Sequence, residues 1–278
     1  MQAPYTLAGV MGWPVAHSRS PIIHNHWIAE HGLRGSYVLL PVAPDKLEQA
    51  LRALPVLGFA GCNLTIPHKV AALSVVDRID PLAQRIGAIN CIVVEADGSL
   101  SGCNTDAFGY VQSLHDAQPD WHVSAGPALV LGAGGAARAV IAGLLDSGVP
   151  SIRLTNRSPD KTQELIAAFG PQVIAVDWAD RHAALDAVTL LVNTTNLGMH
   201  GQPALDLDLN GLDPQALVSD VIYAPLETPL LAAAKLRGNA TVNGLGMLLN
   251  QARPAFKAWF GPMPTISDAL LGKVHASF

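Results

Sequence analysis

The segment that most constrains how this chain can fold lies near its middle. Four apolar residues, Ala128 to Leu131, run directly into Gly132-Ala133-Gly134-Gly135-Ala136-Ala137, and an apolar pattern of helical period follows as far as Leu145. A strand, a glycine turn and a helix in this order are typical of the first crossover of a doubly wound nucleotide-binding fold. The sequence therefore predicts an α/β domain built on a parallel sheet.

The glycine turn is itself a candidate dinucleotide site. Gly132 permits the tight turn, Gly134 lets the backbone approach a pyrophosphate, and Ala137 is the third small residue, where helix packs on strand. The free N–H groups and positive dipole end of the helix favour phosphate. A glycine turn that binds nothing is the alternative. The flanking strand and helix favour a cofactor site at Gly132, Ala133, Gly134, Gly135 and Ala136.

The residues after the second strand of this domain indicate which dinucleotide is bound. An Asp or Glu there would hold the adenosine ribose of NAD, but this chain has Asn156-Arg157-Ser158 and then Lys161. A guanidinium can meet a 2′-phosphate with paired hydrogen bonds, and a lysine adds a point charge. The alternative is that Arg157 is an exposed loop cation. The sequence favours NADP, with Asn156, Arg157, Ser158 and Lys161 in contact with it.

Apolar strands alternate with helical segments over the rest of the chain. Half of the residues are apolar and 14% are charged, which suits sheets buried on both faces. An Asp97-Gly98 turn predicts one hairpin, between Cys91–Glu95 and Ser99–Cys103. Further strands are predicted at Thr6–Met11, Ser36–Val42, Ser151–Thr155, Gln172–Val176, Val188–Asn193 and Leu217–Tyr223.

We therefore expect a two-domain α/β protein with an interdomain cleft. Residues 1–106 are predicted to form an open, mostly parallel α/β substrate-binding and catalytic domain, completed by C-terminal helices within 245–278. Residues 107–244 are predicted to form a Rossmann-type NADP-binding domain. The stretch Gln118–Pro127, with two prolines, a glycine and little periodicity, is another candidate for the linker.

Composition argues against several other classes of protein. The formal charge is −5 and there is no run of Lys or Arg, so nucleic acid is not an expected partner. The first ten residues lack the pattern of a secretory signal, which predicts a cytoplasmic protein without a membrane role. Three cysteines without a C-x-x-C pair predict reduced thiols. His24 and His26 would not share a helix face, so no metal site is predicted.

A small anion site is predicted just after the first strand. The sequence Gly12-Trp13-Pro14-Val15-Ala16-His17-Ser18-Arg19-Ser20-Pro21 puts two hydroxyls at the entry to a helix, where free N–H groups favour a carboxylate. Ser20 has a structural alternative as the N-cap before Pro21. Ser18 has no such alternative.

Further polar motifs then occur in one order along the chain. They are Gly61-Cys62-Asn63-Leu64-Thr65-Ile66-Pro67-His68-Lys69, Gly87-Ala88-Ile89-Asn90, Gly102-Cys103-Asn104-Thr105-Asp106, Asn193-Thr194-Thr195-Asn196-Leu197-Gly198-Met199, Asp220-Val221-Ile222-Tyr223 and Asn243-Gly244-Leu245-Gly246-Met247-Leu248-Leu249-Asn250-Gln251. With the glycine turn, this ordered set resembles the shikimate dehydrogenase family over nearly the whole chain. The resemblance implies NADPH-dependent reduction of 3-dehydroshikimate to shikimate, a step of chorismate and aromatic amino acid biosynthesis. The expected partner is this small-molecule substrate, bound by a monomer or homodimer.

The resemblance also implies roles for single residues. Lys69 and Asp106 match the family's catalytic pair. Substrate contacts are implied for Ser18, Ser20, Thr65, Lys69, Asn90, Asp106, Tyr223 and Gln251, with the two serines at the carboxylate. Four more residues are implied at the cofactor: Thr194, Val221, Gly244 and Met247.

The chemistry of these residue types fits the implied reaction. Hydride arriving at a ketone carbon creates an alkoxide, which a cationic Lys69 can stabilise and protonate while Asp106 orients the lysine and a neighbouring hydroxyl. Taken singly, Lys69 could be a solvated helix residue and Asp106 an N-cap. Asn90 could satisfy a turn, and Gln251 could lie on a polar helix face.

Two departures from the family pattern and two rival functions remain. Cys91 stands where Thr is usual, and Asn196 where Ser is usual, but both leave the polar substrate set complete.

One rival function is that of an NAD-using quinate/shikimate dehydrogenase, against which Arg157 argues. The other is a non-catalytic dinucleotide-binding module, which should have lost Lys69 or Asp106.

Overall fold

The computed structural model describes residues 5–278, which divide into two units. The first unit contains residues 5–105 and 249–278, and the second contains residues 106–248. The chain passes from the first unit to the second between Thr105 and Asp106, and it returns between Leu248 and Leu249. Asp106 and residues 245–248 are thus part of the second unit.

A six-stranded sheet with the order β2-β1-β3-β5-β6-β4 forms the centre of the first unit. Strand β1 pairs in parallel with β2 and β3, β6 pairs in parallel with β4, and β5 is antiparallel to both β3 and β6. The Glu95 N–H donates to the Ser99 carbonyl at 2.9 Å, which closes the predicted hairpin. The strands are β1 (Thr6–Gly12), β2 (Gly35–Pro41), β3 (Phe59–Leu64), β4 (Arg78–Ile79), β5 (Cys91–Val94) and β6 (Leu100–Cys103).

Four helices connect these strands, and proline begins or precedes most of them. Asp80 caps one helix, because its carboxylate accepts the Ala83 N–H at 2.7 Å ahead of Pro81. The helices are α1 (Ser20–Glu30), α2 (Leu47–Ala53), α3 (His68–Ala71) and α4 (Pro81–Ile86).

Two clusters of buried side chains hold the first unit together. One is mainly aliphatic and includes Leu51, Leu54, Leu64, Ile92 and Leu100. The other, the aromatic cluster, surrounds a fully buried imidazole and consists of His24, Trp27, Tyr37, Phe256 and Trp259. Because Phe256 and Trp259 come from the end of the chain, the first unit is completed only after the second has been traversed.

The second unit has a six-stranded, wholly parallel sheet with the order β12-β11-β10-β7-β8-β9. The order runs outward in both directions from the neighbours β7 and β10, so the topological switch point lies between these two strands. The strands are β7 (Ala128–Leu131), β8 (Ile152–Thr155), β9 (Val173–Val176), β10 (Leu190–Asn193), β11 (Leu217–Asp220) and β12 (Thr241–Val242).

Apolar clusters line both faces of this sheet. Leu129 and Leu131 of β7 belong to one cluster, while Ala128 and Val130 belong to the other, as alternation along a strand buried on both faces requires. Helix α5 (Asp106–Ala117) precedes the first strand of this sheet, and helices α6 (Gly135–Asp146), α7 (Pro159–Phe169) and α8 (Pro229–Leu236) connect its strands. The predicted two-domain α/β fold with a Rossmann-type second domain is confirmed.

The stretch Gln118–Pro127 lies inside the second unit and does not link the units. Tyr110 and Leu114 of α5 share a buried cluster with Val140 and Leu144 of α6, so α5 belongs to the second core. Composition marked this stretch as irregular, which it is, but could not show what the preceding helix packs against.

Two helices, α9 (Leu245–Phe260) and α10 (Asp268–His275), end the chain.

None of the helices within residues 5–278 combines the length and apolar character needed to cross a membrane. The same residues contain no group of three or more His, Cys, Asp or Glu side chains placed to hold a metal ion. All three cysteines are free thiols.

Candidate active site

The loops that follow β1 and β3 meet because these strands are parallel neighbours. The Thr65 N–H donates to the Met11 carbonyl at 3.0 Å, and the Trp13 N–H donates to the Ile66 carbonyl at 3.1 Å. A Cβ on Gly12 would come within 2.5 Å of the Thr65 side chain, so the approach requires glycine. The sheet thus brings the loop that carries the two serines against the loop that carries Thr65.

The two serines have different environments. Ser20 is buried and is the first residue of α1. Its alternative as an N-cap is wrong, because Arg19 occupies the cap position and no side chain caps the helix. The half-buried Ser18 instead accepts the Ser20 N–H at 3.3 Å.

A buried network of hydrogen bonds holds Asn90 in a fixed orientation. The Tyr37 hydroxyl donates to the Asn63 side chain at 2.6 Å, and the Asn63 amide donates to the Asn90 carbonyl at 3.0 Å. The Asn90 amide group donates to the Thr105 hydroxyl at 2.9 Å and accepts the Thr105 N–H at 2.8 Å. It also donates to Gln251 at 3.4 Å, which brings two predicted substrate residues together.

Three members of this network were not among the predicted site residues. Burial strongly raises the pKa of Tyr37, so its hydroxyl stays protonated and can donate to Asn63. Asn63 and Thr105 belong to motifs that the sequence displays, and the signal that could have identified them is a polar side chain beside a buried strand. Tyr37 lies within β2 and carries no such signal.

The two predicted catalytic residues lie on different units. Lys69 is on the short helix α3, and the Ile89 N–H donates to its carbonyl at 2.8 Å, which ties α3 to the residue before Asn90. Asp106 is the first residue of α5, is nearly buried, and follows Thr105 directly in the chain. The first unit therefore gathers six of the eight predicted substrate residues: Ser18, Ser20, Thr65, Lys69, Asn90 and Gln251.

The glycine turn in the second unit has the geometry of a phosphate site. Gly132 has a φ of +107°, a backbone conformation that favours glycine. A Cβ there would also come within 2.5 Å of the Thr194 hydroxyl, so lack of space excludes a side chain as well. Gly134 and Gly135 face open space. Helix α6 begins at Gly135 without a side-chain cap, which leaves N–H groups of its first turn for an anion.

The other predicted cofactor residues follow the carboxyl ends of the same sheet. Arg157 and Lys161 are exposed after β8, and the Asn156 amide donates to the Ser158 carbonyl at 3.0 Å, which shapes the loop between them. Further along the same edge, backbone hydrogen bonds link the neighbouring loops. The Thr194 N–H donates to the Leu131 carbonyl at 2.8 Å, and the Val221 N–H donates to the Asn193 carbonyl at 3.0 Å. The Gly244 N–H donates to the Ile222 carbonyl at 2.9 Å. Met247 packs partly buried against the core below.

A buried carboxylate supports the loop after β11. Asp220 accepts hydrogen bonds from the Asn193 amide at 3.1 Å, the Thr228 hydroxyl at 2.8 Å and the Ile222 N–H at 3.0 Å. Burial raises the pKa of Asp220, while these three donors oppose the shift. The carboxylate thereby fixes the backbone that carries Val221 and Tyr223.

Comparisons with known proteins show the family to which this chain belongs. Residues 10–92 match the family model of the shikimate dehydrogenase substrate binding domain, and residues 116–198 match that of shikimate / quinate 5-dehydrogenase. A shikimate dehydrogenase (NADP(+)) from Paramagnetospirillum magneticum is 55% identical over 270 residues, covering 97% of this chain and 98% of the relative.

Solved structures extend the similarity to three dimensions. Shikimate 5-dehydrogenase from Thermus thermophilus, in complex with NADP(H) and shikimate, is 36% identical with a TM-score of 0.85, over 98% of both chains. Quinate dehydrogenase from Corynebacterium glutamicum, in complex with NAD, is 29% identical with a TM-score of 0.90, over 98% of this chain and 100% of that one. The fold is therefore shared by enzymes that differ in cofactor and substrate.

Proposed function

Because this chain belongs to the shikimate dehydrogenase family, we propose that it catalyses the reversible, NADPH-dependent reduction of 3-dehydroshikimate to shikimate. The observation that carries the proposal is the relative named shikimate dehydrogenase (NADP(+)), 55% identical over 97% of this chain. The activity is a step of chorismate and aromatic amino acid biosynthesis.

The glycine turn and the loop after β8 hold the cofactor. Open space at Gly134 and Gly135 admits the pyrophosphate, and the uncapped first turn of α6 offers it N–H donors. Arg157 and Lys161 meet the 2′-phosphate, with Asn156 and Ser158 shaping the loop between them. When bound, NADPH supplies the hydride that reduces the substrate ketone.

The first unit orients the substrate through its polar cluster. The hydroxyls of Ser18, Ser20 and Thr65 bind the carboxylate, together with Tyr223 of the second unit. Asn90 and Gln251 contact ring oxygens, and the buried bonds of Asn90 to Thr105 fix its orientation before substrate arrives. A preorganised site of this kind lowers the entropic cost of aligning the ketone.

Lys69 and Asp106 carry out the proton chemistry. As hydride reaches the ketone carbon, negative charge develops on its oxygen, and the Lys69 ammonium stabilises that charge and donates the proton. Asp106 orients the lysine and accepts a hydrogen bond from a neighbouring hydroxyl. In the reverse direction, Lys69 accepts the proton as hydride leaves.

One set of assays tests the proposal against its rivals. Purified protein is assayed with shikimate or quinate, each with NADP or NAD. The expected result is a kcat/KM with shikimate and NADP that exceeds every other combination. Preference for quinate and NAD would identify the rival dehydrogenase, and cofactor binding without turnover would identify a binding module.

The proposed enzyme acts on small, water-soluble metabolites alone. We place it in the cytoplasm, as a monomer or homodimer. Light scattering after size-exclusion chromatography would distinguish these two states, and a larger mass would contradict both.

A further inference from the structure

Two cysteines that the proposed reaction does not use face each other in the first sheet. Cys91 and Cys103 are directly opposed in the antiparallel pair of β5 and β6. Opposed residues in such a pair have Cα atoms ~4.5–5.5 Å apart, which lies inside the ~4.4–6.8 Å range that a disulfide spans. The two sulfurs can therefore bond with little movement of the backbone.

The third cysteine provides a contrast on the same sheet. Cys62 is opposed to Ile92 in the β3–β5 pair, so its side chain lies on the opposite face from that of Cys91. It is fully buried in the aliphatic cluster, and burial raises the pKa of its thiol to about 12. Cys62 is thus an unreactive thiol close to a reactive pair.

Cys103 is the member of the pair that solutes can reach. It lines a pocket of about 280 Å³ together with Arg78, Asp80 and Ser101, whereas Cys91 is fully buried. The interaction between the two thiols lowers the pKa of Cys103, although burial and Asp80 oppose the shift. Cys103 is therefore the thiol that a solute meets first.

We propose that Cys91 and Cys103 form a reversible redox site that reacts with a hydroperoxide, and that the resulting disulfide weakens substrate binding. The Cys103 thiolate attacks one oxygen of hydrogen peroxide, the O–O bond breaks, and a sulfenic acid and hydroxide form. The Cys91 sulfur then bonds to the Cys103 sulfur, losing its proton and displacing water. Overall, two thiols lose two electrons, and one peroxide becomes two waters.

The effect on substrate rests on the proposed function and follows from the neighbours of the pair. Asn90 precedes Cys91, and its N–H donates to the Cys103 carbonyl at 3.1 Å. An S–S bond of ~2.05 Å holds the two sulfurs closer together than non-bonded sulfur atoms can approach. The backbone adjustment is small, but it falls at the strand ends beside Asn90 and shifts that residue relative to the substrate ring. Loss of the hydrogen bond between Asn90 and the substrate corresponds to roughly a tenfold rise in KM for shikimate.

Thiol counting tests the chemical step without any assay of turnover. Reduced protein is treated with hydrogen peroxide, quenched with catalase, unfolded and alkylated with N-ethylmaleimide. Of the three cysteines, only Cys62 should then be alkylated, and dithiothreitol should restore the other two. Peptide mapping of the unsubstituted protein identifies the bridge. Retention of three alkylated thiols, or a bridge that includes Cys62, would overturn the proposal.

Matched variants and kinetics test the coupling to substrate. Cys103→Ser should keep the basal KM for shikimate and lose its sensitivity to peroxide, whereas Cys62→Ala should remain sensitive. An oxidised parent protein with an unchanged KM would overturn the coupling. Reduced protein that does not turn over shikimate with NADP would instead contradict the proposed function. The thiol count would still show whether Cys91 and Cys103 form a disulfide, because it does not depend on turnover.

Discussion

At the scale of single residues, the proposed chemistry depends most on Lys69. Its helix is held from two sides, since the Ile89 N–H donates to the Lys69 carbonyl at 2.8 Å and His68 bonds to the Val42 carbonyl at 2.8 Å. The charge that Lys69 would stabilise exists only while hydride is being transferred. Its contribution should therefore appear in the transition state rather than in substrate binding.

Substitution of Lys69 by Met tests this, because Met keeps most of the side-chain volume and removes the proton donor. We expect Lys69→Met to lower kcat by about a hundredfold or more, with a much smaller change in KM. Steady-state kinetics gives both constants, and circular dichroism checks folding. Lys46→Met, at an exposed lysine of the same unit, is the matched control. A folded Lys69→Met enzyme with parental kcat would remove Lys69 from the mechanism.

Arg157 tests the choice of cofactor in the same way. Losing a charge-assisted contact to the 2′-phosphate costs about 1.5–3 kcal/mol, so Arg157→Asp should raise the KM for NADP roughly 10- to 150-fold. The KM for NAD, which lacks that phosphate, should change far less and serves as the internal control. If the KM for NADP stayed within about twofold of the parent, or ~0.4 kcal/mol, Arg157 would be an exposed loop cation.

The sequence indicated the residues of the candidate site unevenly, for physical reasons. Ser18, Arg157 and the glycine turn stand in loops next to strand ends, where the order of residue types along the chain is enough to mark them. Tyr37 and Asp220 support the site from inside the sheets, and their importance depends on which strand lies alongside. That adjacency arises only in the folded chain.

At the scale of elements, local patterns predicted strands well and packing partners poorly. Strand β7 was predicted without error, and most others within two residues, because a buried strand needs a continuous apolar run. The role of Gln118–Pro127 could not be predicted, since it depends on α5 packing against α6. The Cys91–Cys103 pairing was within reach, because the Asp97-Gly98 turn sets the register of its hairpin.

The aromatic cluster joins α1, β2 and α9, and its centre is a histidine without a polar partner. His24 is fully buried and stacks on Tyr37 with ring centroids 4.0 Å apart. Neither ring nitrogen has a hydrogen-bond partner within the described residues 5–278. Burial lowers the pKa of His24 from 6.5 to about 3, so the folded protein holds it neutral while the unfolded chain protonates it.

This shift makes stability depend on pH in a defined window. Between pH 6.5 and about 3 the unfolded state binds one more proton at His24, so the free energy of unfolding falls as pH falls, by about 1.4 kcal/mol per pH unit. His24→Phe should remove this contribution, and its stability relative to the parent should rise from pH 6 to pH 4.

Urea unfolding at several pH values, followed by tryptophan fluorescence, measures the effect, since Trp27 and Trp259 lie in the same cluster. His275→Phe, at an exposed histidine of the first unit, is the control and should leave the pH dependence unchanged. Parallel stability curves for His24→Phe and the parent would mean that His24 titrates normally.

At the scale of the whole molecule, the first unit is discontinuous in sequence. The indole N–H of Trp259 donates to the Ile92 carbonyl at 2.9 Å, so the end of the chain secures a strand near its beginning. The second unit is continuous and contains the glycine turn and Arg157. We therefore expect shikimate to protect the first unit from hydrogen exchange and NADP to protect the second. Asp106 and Tyr223 are exceptions, because they lie in the second unit but the proposed mechanism assigns them to substrate.

Hydrogen exchange with mass spectrometry can locate these responses. NADP alone, at about a hundred times its Kd, should slow exchange through local opening by roughly a hundredfold in peptides spanning 132–140 and 156–161. Shikimate alone should protect the loops after β1 and β3, the peptide around Asn90, and the segments at Asp106 and Tyr223. Arg157→Asp, studied at the parent's NADP concentration, should lose the first pattern and keep the second. Shikimate-dependent protection of the glycine turn, or NADP-dependent protection of the loops after β1 and β3 without substrate, would contradict this division of the two ligands between the two units.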